Sequence, residues 1–350
     1  MVTTVEIAGR SIGSGQPCFV IAEAGVNHNG DLDMAKRLID IAAEAGVDAV
    51  KFQTFRAERL VTAGAPTARY QREATGGESS QLELLRRLEL PDEAHAELQA
   101  ACGLRHILFL STPFDELSAD DLQSLGLPAF KISSGDLTNV PFLAHVARMG
   151  RPVILSTGMA TMDEVSAAVQ AVEQTGNRQI VLLHCVSNYP TDPRDVNLRA
   201  METMRRTFSY PVGFSDHTQG IEVALAAVAL GAAMIEKHIT IDRTLPGPDH
   251  RASLEPGELT QMVKGIRLIE QALGHGAKRP APAEAEIAAV ARKSVVAARD
   301  ITSGSLLTAD MLAIRRPGTG LPPDMRERLI GRRVRKAIAA GTPITKDVLA

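Results

Sequence analysis

The chain has 350 residues, of which 45% are hydrophobic and 23% are charged, proportions typical of soluble globular proteins. Lys and Arg number 38 against 41 Asp and Glu, so a formal charge of −3 argues against a polyanion-binding surface for nucleic acid. The most apolar run is shorter than a membrane span, and residues 1–15 lack the apolar core of a signal peptide. We therefore expect a cytoplasmic protein that binds neither nucleic acid nor membranes.

Short β-branched segments alternate with amphipathic helical patterns along most of the chain. The sequence predicts eight strands, at 19–22, 49–53, 107–111, 129–133, 153–157, 180–186, 212–215 and 234–240. Helical patterns lie between them and after the last one, for example at 31–45, 92–101, 162–174, 221–230 and 256–273. Eight such units in about 250 residues predict an α/β fold of the closed (β/α)8 TIM-barrel type. An open, doubly wound sheet is the alternative.

The connection after the second predicted strand, residues 56–81, is longer than the others. It contains Gly64-Ala65-Pro66 and Gly76-Gly77. Loops of this length in a compact domain are usually functional or disordered. In a barrel this connection would lie on the active face, where it is a candidate lid; the alternative is a surface loop without a role.

The composition changes after residue 274. Residues 275–290 are rich in Ala, Pro and Gly, which indicates a linker between a barrel domain over 1–274 and a small domain over 291–350. The small domain contains an internal repeat, in which Ile301-x-x-Gly304-x-x-x-Thr308-x-Asp310-x-Leu312 recurs as Ile338-x-x-Gly341-x-x-x-Thr345-x-Asp347-x-Leu349. The repeat predicts a pseudo-symmetric module, which is too small for a large core of its own and should dock on another surface.

Polar residues stand at the carboxyl end of all eight predicted strands, where a barrel enzyme has its active site. In chain order they include Glu23, Lys51, Gln53, Thr112, Lys131, Ser134, Ser156, Ser187, Tyr189, Ser215, His217, Glu236, His238 and Asp249. Successive side chains on a strand face opposite sides. Glu236 and His238 therefore share a face, while Lys237 points towards the helices and is a poor candidate for a nucleophile.

Two histidines, His217 and His238, end consecutive predicted strands. Neighbouring strands lie about 4.8 Å apart, so both imidazoles could hold one ion such as Zn, Mn, Co or Fe. The alternative for either residue is a buried core histidine. The three cysteines are widely spaced, without a CxxC motif, and predict no thiolate site or disulfide framework.

A lysine and several serines predict a phosphate site along one arc of the barrel mouth. Lys131 supplies charge, and the hydroxyls of Ser134, Ser156 and Ser215, with Ser187 nearby, supply donors. The chain has no Walker-type GxxxxGKS, so the pattern favours a small phosphorylated substrate over a nucleotide. Glu23 could activate water or move a proton, or it could form a structural salt bridge to a lysine.

These motifs together resemble the sialic acid synthase family, which includes the N-acetylneuraminate, legionaminate and pseudaminate synthases. The matching segments are IAEAGVNHNG at 21–30, KFQT at 51–54, STPF at 111–114, KISSGD at 131–136, LSTGM at 155–159, HCVSNYPT at 184–191, GFSDHT at 213–218, EKHIT at 236–240 and GPDHRASLEP at 247–256. The segment RRPGTGLPP at 315–323 resembles the antifreeze-like (SAF, β-clip) domain that closes these enzymes. The resemblance covers nearly the whole chain.

The resemblance implies a role for each strand-end residue. Phosphoenolpyruvate is expected near Lys51, Thr112, Lys131, Ser134, Ser156, Ser187 and Ser215, with Glu23, Lys51 and Lys131 as catalytic groups. A divalent ion, Mn²⁺ or Mg²⁺, is expected on His217 and His238. The acceptor sugar is expected near Glu23, Gln53, Tyr189 and Asp249. Arg316 is expected to reach the N-acyl group in the barrel of the partner subunit, which implies a domain-swapped homodimer.

The implied reaction joins phosphoenolpyruvate to an N-acyl amino sugar and water, and releases phosphate. The product would be N-acetylneuraminate if N-acetylmannosamine is the acceptor; the alternative is N,N'-diacetyllegionaminate or pseudaminate from a 2,4-diacetamido-trideoxy hexose. The 6-phosphate of N-acetylmannosamine also fits the N-acyl recognition, but it would need an additional cationic site that the sequence does not indicate. Two other interpretations are a Schiff-base aldolase, which needs a desolvated lysine and no metal, and a non-catalytic sugar- or ice-binding protein. The paired histidines and phosphate-type contacts argue against the first, and the many arginines after residue 314 argue against the ice-binding form of the second.

Overall fold

A computed structural model describes residues 3–68, 71–72 and 80–350. The chain forms two compact units, Met1–Gly274 and His275–Ala350. The elements of the first unit are β1 (Val5–Ile7), β2 (Arg10–Ile12), β3 (Phe19–Gly25), α1 (Leu32–Ala45), β4 (Ala49–Thr54), α2 (Ala57–Leu60), α3 (Gln81–Leu88), α4 (Asp92–Leu104), β5 (Leu108–Pro113), α5 (Glu116–Ser124), β6 (Phe130–Ile132), α6 (Val140–Arg148), β7 (Val153–Ser156), α7 (Met162–Glu173), β8 (Ile180–Cys185), α8 (Ala200–Phe208), β9 (Val212–Asp216), α9 (Glu222–Ala229), β10 (Met234–His238) and α10 (Pro256–Leu273). Among these described segments, no helix is long and apolar enough to cross a membrane.

Strands β3 to β10 form one parallel sheet. They are hydrogen-bonded in the order β5-β4-β3-β10-β9-β8-β7-β6. The two end strands, β5 and β6, lie against each other, so the sheet curls into a nearly closed barrel. Helices follow the strands and cover them from outside, as parallel strands require. The predicted (β/α)8 architecture is confirmed, and the open doubly wound alternative is wrong.

The barrel has two apolar layers, which arise from the alternation of side chains along each strand. On β3, Phe19 and Ile21 belong to a cluster inside the barrel, whereas Val20 and Ala22 pack between the strands and the helices. The antiparallel hairpin β1–β2 adds Ile7 and other apolar side chains to the inner cluster, where they contact the amino-terminal ends of the strands. The hairpin therefore fills the amino-terminal end of the barrel, and the carboxyl end is left for a site.

A buried ion pair lies on the outer side of the barrel strands. The Lys237 Nζ is 2.8 Å from the Asp216 Oδ2 and donates to the carbonyl oxygen of Thr218 at 2.5 Å. Neither Lys237 nor Asp216 has a measurable solvent-exposed surface. Lys237 thus points away from the barrel interior, as the alternation predicted, and it joins β10 to β9 beneath the helices.

The second unit contains α11 (Glu284–Ala291), an antiparallel pair of β11 (Ser294–Ala297) and β12 (Leu312–Arg315), and the short helix α12 (Arg326–Leu329). Part of the segment predicted as a linker, 275–290, is therefore helical. The helical part is rich in Ala and contains no Pro, whereas Pro280 and Pro282 precede it. A separate apolar cluster fills the unit; its buried members are Val295, Ala297, Ile301, Leu307, Leu312, Leu321, Leu329, Val334, Ile338, Ile344 and Leu349.

The predicted repeat appears as an approximate two-fold relation within the second unit. The equivalent residues Ile301 and Ile338 exchange both of their backbone hydrogen bonds with each other, each at 2.9 Å. Gly304 and Gly341 both adopt positive φ, at 86° and 81°, where glycine avoids the strain of a side chain. A second set of backbone bonds occurs twice under the same relation, between Ala297 and the pair Gly341 and Thr342, and between Val334 and the pair Gly304 and Ser305.

We expect the substitution Lys237→Met to lower the free energy of unfolding by about 3–5 kcal/mol, because it leaves the Asp216 carboxylate buried without its charged partner. The double variant with Asp216→Asn should regain part of that loss. Urea unfolding followed by circular dichroism measures both. The control is Lys36→Met, which breaks an exposed pair with Glu97 and should leave the midpoint unchanged. A shift for Lys237→Met no larger than that of the control would contradict the prediction.

Candidate active site

A pocket of about 490 Å³ opens at the carboxyl end of the barrel. It brings together every site residue that the sequence predicted in the first unit, namely Glu23, Lys51, Gln53, Thr112, Lys131, Ser134, Ser156, Ser187, Tyr189, Ser215, His217, His238 and Asp249. They come from all eight strands or the turns that follow them. Arg316 belongs to the second unit, and its predicted contact with the partner's barrel stays a prediction.

Two lysines and two glutamates form a charged cluster at the base of the pocket. The Lys51 Nζ is 2.6 Å from the Glu23 Oε2 and 3.8 Å from the Glu236 Oε2. The Lys131 Nζ is 3.3 Å from the Glu236 Oε1, which also accepts a hydrogen bond from the Ser215 hydroxyl at 2.8 Å. These four charged side chains are at most 5% exposed, so each charge depends on its neighbours for compensation.

Glu236 is the residue whose importance the sequence did not indicate. Its shared face with His238 was predicted, but no role was assigned to it. In the structure it links Lys51, Lys131 and Ser215, which come from three different strands. The available signal was the position of an acidic residue on the inner face of a strand, two residues before a candidate metal ligand.

The cluster shifts the pKa values of its two carboxyl groups in opposite directions. Burial raises the pKa of Glu23, and Lys51 only partly offsets this effect. Burial also opposes ionisation of Glu236, but Lys131 and Lys51 outweigh it and lower the pKa of that group. Burial lowers the pKa of Lys131. Glu23 is therefore the carboxyl group of the pair that more readily holds a proton, a division typical of acid–base sites.

Three serines line the side of the mouth formed by β6, β7 and β8. We call Ser134, Ser156 and Ser187 the hydroxyl arc. The Ser156 Oγ is buried without a hydrogen-bond partner among the described residues, so it is available to a ligand in the pocket. Gly158 makes room for this arc, since a Cβ there would lie 2.3 Å from the Ser187 Oγ and 2.8 Å from the Ser134 Oγ.

His217 and His238 lie side by side in the pocket, with ring centroids 5.4 Å apart. The His217 Nδ1 is 2.9 Å from the carbonyl oxygen of Val186, which fixes that nitrogen as the protonated one and leaves Nε2 with its lone pair. Burial lowers the pKa of His217 to about 4, and burial with the neighbouring His217 lowers that of His238 well below its ordinary value. Both rings are therefore neutral at neutral pH, as metal ligands must be.

The donor set fits a divalent ion with open coordination positions. The described residues contain no group of three or more His, Cys, Asp or Glu side chains arranged to hold a metal. His217 and His238 are thus the pair of side chains that would hold such an ion, through imidazole nitrogens. The Asp249 Oδ2, 4.0 Å from the His238 Nδ1, and the Tyr189 ring, 4.2 Å from the His217 ring, complete the surroundings of the pair.

Asn27 holds the loop that carries Asp249. Its side-chain Nδ2 donates to the carbonyl oxygen of Ile239 and to the Ser253 Oγ, both at 2.8 Å. The Ser253 hydroxyl in turn donates to the carbonyl oxygen of Asp249 at 2.7 Å. Asn27 is 1% exposed and lies two residues after the end of β3. The NHN motif at 27–29 is thus tied to the loop after β10.

The β4–β5 side of the mouth differs from the rest because it is apolar. We define the apolar wall as Phe55, Leu60, Leu84, Leu85, Leu88 and Phe114, all of which line the pocket. The Phe55 and Phe114 rings meet edge to face at 6.0 Å, and the leucines come from α2 and α3. These helices lie at the two ends of the predicted lid over 56–81. Its residues 69–70 and 73–79, including Gly76-Gly77, lie outside the described residues.

The sequence and structure comparisons agree with the resemblance drawn from the motifs. The NeuB family model matches residues 38–278, and the SAF domain model matches residues 292–350. The chain is 47% identical to the N,N'-diacetyllegionaminic acid synthase of Legionella pneumophila, over 95% of this chain and 94% of that protein. It is 40% identical to the human N-acetylneuraminate-9-phosphate synthase, over 97% and 95%.

A solved structure supports the same assignment. The N-acetylneuraminic acid synthetase of Leptospira borgpetersenii, in complex with citrate, is 38% identical and has a TM-score of 0.73, with 82% of this chain and 95% of that chain covered. The family match spans more than half of the chain, and both relatives cover nearly all of it. The chain therefore belongs to the NeuB family of sialic-acid-type synthases and ends in a SAF domain.

Proposed function

We propose that this enzyme condenses phosphoenolpyruvate with the aldehyde of an N-acyl amino sugar, adds water and releases phosphate. The observation that supports this most directly is the arrangement of the pocket. A lysine-containing cluster and a hydroxyl arc suited to a phosphoenol lie beside two neutral histidines, which would hold a divalent ion.

Phosphoenolpyruvate would occupy the side of the pocket formed by the hydroxyl arc and the lysines. Lys131 and Lys51 supply positive charge, and Thr112 and Ser215 add hydroxyl groups; Thr112 already accepts a hydrogen bond from the Lys51 Nζ at 2.8 Å. The charges of the cluster cancel when both carboxyl groups are ionised. Protonation of Glu23, which burial favours, leaves the cluster with a positive charge for the incoming anion.

His217 and His238 would hold a divalent ion, for which we propose Mn²⁺ or Mg²⁺. When bound, such an ion would polarise the aldehyde oxygen of the acceptor. Asp249 and Tyr189 lie against the two rings. We propose that they orient the sugar beside the histidines. The hydrogen bonds from Asn27 to Ser253 and from Ser253 to the carbonyl oxygen of Asp249 hold the backbone at Asp249 in place.

Glu23 is the group that we propose to carry the proton. The methylene carbon of phosphoenolpyruvate forms a bond to the aldehyde carbon, and the aldehyde oxygen takes up one proton to become a hydroxyl. Water adds to the former enol carbon and gives up one proton. The C–O bond to phosphate then breaks as the new hydroxyl becomes the keto group, and the proton of that hydroxyl leaves with the phosphate. A carboxyl group with a raised pKa can donate the first proton and accept the second. Lys51, at 2.6 Å, stabilises the carboxylate between the two transfers.

The acceptor is either N-acetylmannosamine, giving N-acetylneuraminate, or a 2,4-diacetamido-trideoxy hexose, giving N,N'-diacetyllegionaminate or pseudaminate. The 47% identity to a diacetyllegionaminic acid synthase favours the second acceptor. A Schiff-base aldolase is disfavoured, because Lys51 and Lys131 both pair with carboxylates in the pocket and Lys237 lies outside it.

The reaction is tested by phosphate release from phosphoenolpyruvate in the presence of Mn²⁺ and either sugar. We expect release to require the sugar, to stop when a chelator is added, and to return when Mn²⁺ is restored in excess. Borohydride with pyruvate is the contrasting assay, because it traps a Schiff base covalently. Phosphate release that is insensitive to the chelator, together with covalent trapping by borohydride, would contradict the proposed metal requirement and favour the Schiff-base aldolase.

Ser156→Ala tests the phosphate side of the pocket. The lost hydrogen bond to an anion should raise the KM for phosphoenolpyruvate by about tenfold or more and leave the KM for the sugar unchanged. The melting temperature should not fall, since the hydroxyl has no described partner within the protein. Ser11→Ala, on an exposed position of β2, is the control. An equal rise in both KM values would show that Ser156 does not face the phosphate.

Arg316 and the domain-swapped homodimer are tested together by mixing two impaired variants and assaying them at a sugar concentration far below the KM of the Arg316 variant. Glu23→Gln should lower turnover by about 10²- to 10⁴-fold, and Arg316→Ala should raise the KM for the sugar. If Arg316 serves the partner's barrel, a heterodimer of the two, purified through two different tags, contains one intact site and should show about half of the wild-type rate. If Arg316 serves its own barrel, or the protein is monomeric, the rate does not rise above that of the two variants measured separately.

A further inference from the structure

A buried thiol lies beside the hydroxyl arc. Cys185 is the last residue of β8 and shares the inner face of that strand with Val181 and Leu183, which belong to the apolar cluster inside the barrel. Its side chain lines the pocket, and the residue is 4% exposed. The strand therefore ends its row of inward apolar side chains with a group that can form hydrogen bonds at the edge of the proposed phosphate site.

Ser134 is the polar neighbour of this thiol. The Cys185 Sγ lies 3.1 Å from the Ser134 Oγ, and either group can donate the hydrogen of that contact. The Ser134 Oγ also accepts a hydrogen bond from the backbone N–H of Gly158 at 3.0 Å. A Cβ at Gly158 would lie 2.8 Å from the Ser134 Oγ and 2.9 Å from the Cys185 Sγ. The three residues therefore form one closely packed unit, which joins the segments after β6 and β7 to the end of β8.

The single hydrogen of the Ser134 hydroxyl decides the direction of its bond to Cys185. A serine hydroxyl donates one hydrogen and accepts through two lone pairs. The bond from Gly158 occupies one lone pair, so one hydrogen and one lone pair remain for Cys185 and the pocket. An anionic oxygen in the pocket accepts hydrogen bonds and cannot donate them. When such an oxygen takes the Ser134 hydrogen, Cys185 is left with the lone pair and must donate.

Two buried groups near this unit indicate that it receives an anion. Ser156 is 3% exposed, and its Oγ has no hydrogen-bond partner among the described residues. Lys131 is 4% exposed and lies close enough for its charge to act on the Cys185 thiol. Ser134 lines the same pocket as both residues. An anion drawn to Lys131 would therefore meet the Ser134 hydroxyl as well as that of Ser156.

The sulfur of Cys185 keeps its hydrogen at neutral pH. Burial raises the pKa of the thiol, and the contact with Ser134 and the charge of Lys131 only partly offset this effect. A thiolate would take the Ser134 hydrogen for itself and would repel an anion in the pocket. A thiol can donate to Ser134 and leave the hydroxyl hydrogen free for a ligand.

We propose that Cys185 is a positioning residue for phosphoenolpyruvate, whose S–H donates to the Ser134 Oγ and so directs the Ser134 hydrogen towards an anionic oxygen of the substrate. The inference rests on the proposed function and adds a residue that acts through Ser134. Successive hydrogen bonds polarise one another by roughly 10–30% per bond, so a hydroxyl that accepts from Cys185 is also a better donor.

The first experiment measures the Kd of phosphoenolpyruvate by titration calorimetry on the full-length protein. Cys185→Ala removes the donor and should raise the Kd by about 3- to 10-fold, as expected for a neutral hydrogen bond. Cys185→Ser restores a donor and should stay within about twofold of the wild type. The control is Cys102→Ala, a buried cysteine of α4 that does not line the pocket, which should leave the Kd unchanged.

A double-mutant cycle shows whether Cys185 acts through Ser134. Ser134→Ala should raise the Kd by about tenfold or more, because it removes a hydrogen bond to a charged oxygen. In that background, Cys185→Ala should cause no further rise. An equal effect of Cys185→Ala with and without the Ser134 hydroxyl would show that the thiol only shapes the pocket or contacts the substrate itself, and would overturn the proposal.

Infrared spectroscopy of the wild-type protein measures the direction of the bond, and it decides the question even if Cys185→Ala does not fold. The S–H stretching band of Cys185 is identified by its loss in Cys185→Ser. It should move to lower frequency when phosphoenolpyruvate binds, because an S–H bond weakens as it donates. Ser134→Ala should abolish this shift. A band that stays in place or moves to higher frequency would contradict the proposed direction.

The outcomes separate this inference from the proposed function. Phosphoenolpyruvate binding that is unaffected by Cys185→Ala would overturn the role of Cys185 and leave the condensation standing. The expected cycle and band shift, without phosphate release in the presence of any N-acyl sugar, would overturn the condensation and leave the hydrogen-bond chain standing. Absence of phosphoenolpyruvate binding by the wild-type protein would overturn both.

Discussion

The compensation of charge at the base of the barrel is the constraint on which the rest of the site depends. Glu23, Lys51, Lys131 and Glu236 are nearly inaccessible to water, and each lies within 4 Å of an opposite charge. Taking such groups out of water costs several kcal/mol for each ion, so the arrangement is stable only when all four strands deliver their side chains together. The register of the strands and the β1–β2 hairpin, which fills the amino-terminal end of the barrel, therefore serve the same purpose. They keep the four charged side chains next to one another at the base of the pocket.

Much of this arrangement could be predicted from the sequence, because strand alternation is a strict geometric rule. It separated Lys237 from His238, and the structure places the first in a buried pair outside the barrel and the second in the pocket. The barrel itself followed from eight regular units, and the grouping of polar residues followed from the position of strand ends. The two-fold relation in the second unit corresponds to a repeat that is visible in the sequence.

The remainder depended on long-range contacts that no local pattern encodes. Glu236 acquires its importance from Lys51 and Lys131, which lie more than a hundred residues away in the chain. The apolar wall combines Phe55 and Phe114 with leucines of α2 and α3, and in the sequence these residues resemble any other core positions. The helix within the predicted linker was missed because prolines precede it closely, although its own residues favour helix.

The two-fold relation in the second unit has a consequence for how the chain is made. Its paired backbone bonds run from one repeat to the other, as between Ile301 and Ile338. A ribosome-bound chain that has emerged only through the first repeat has no partner for these groups, since neither repeat supplies both halves of a pair. The barrel can fold during synthesis while the second unit waits for residues 338–349. An incomplete nascent chain would thus carry a barrel followed by a second unit in which β11 can pair with β12 but the bonds to residues 338–349 are still missing.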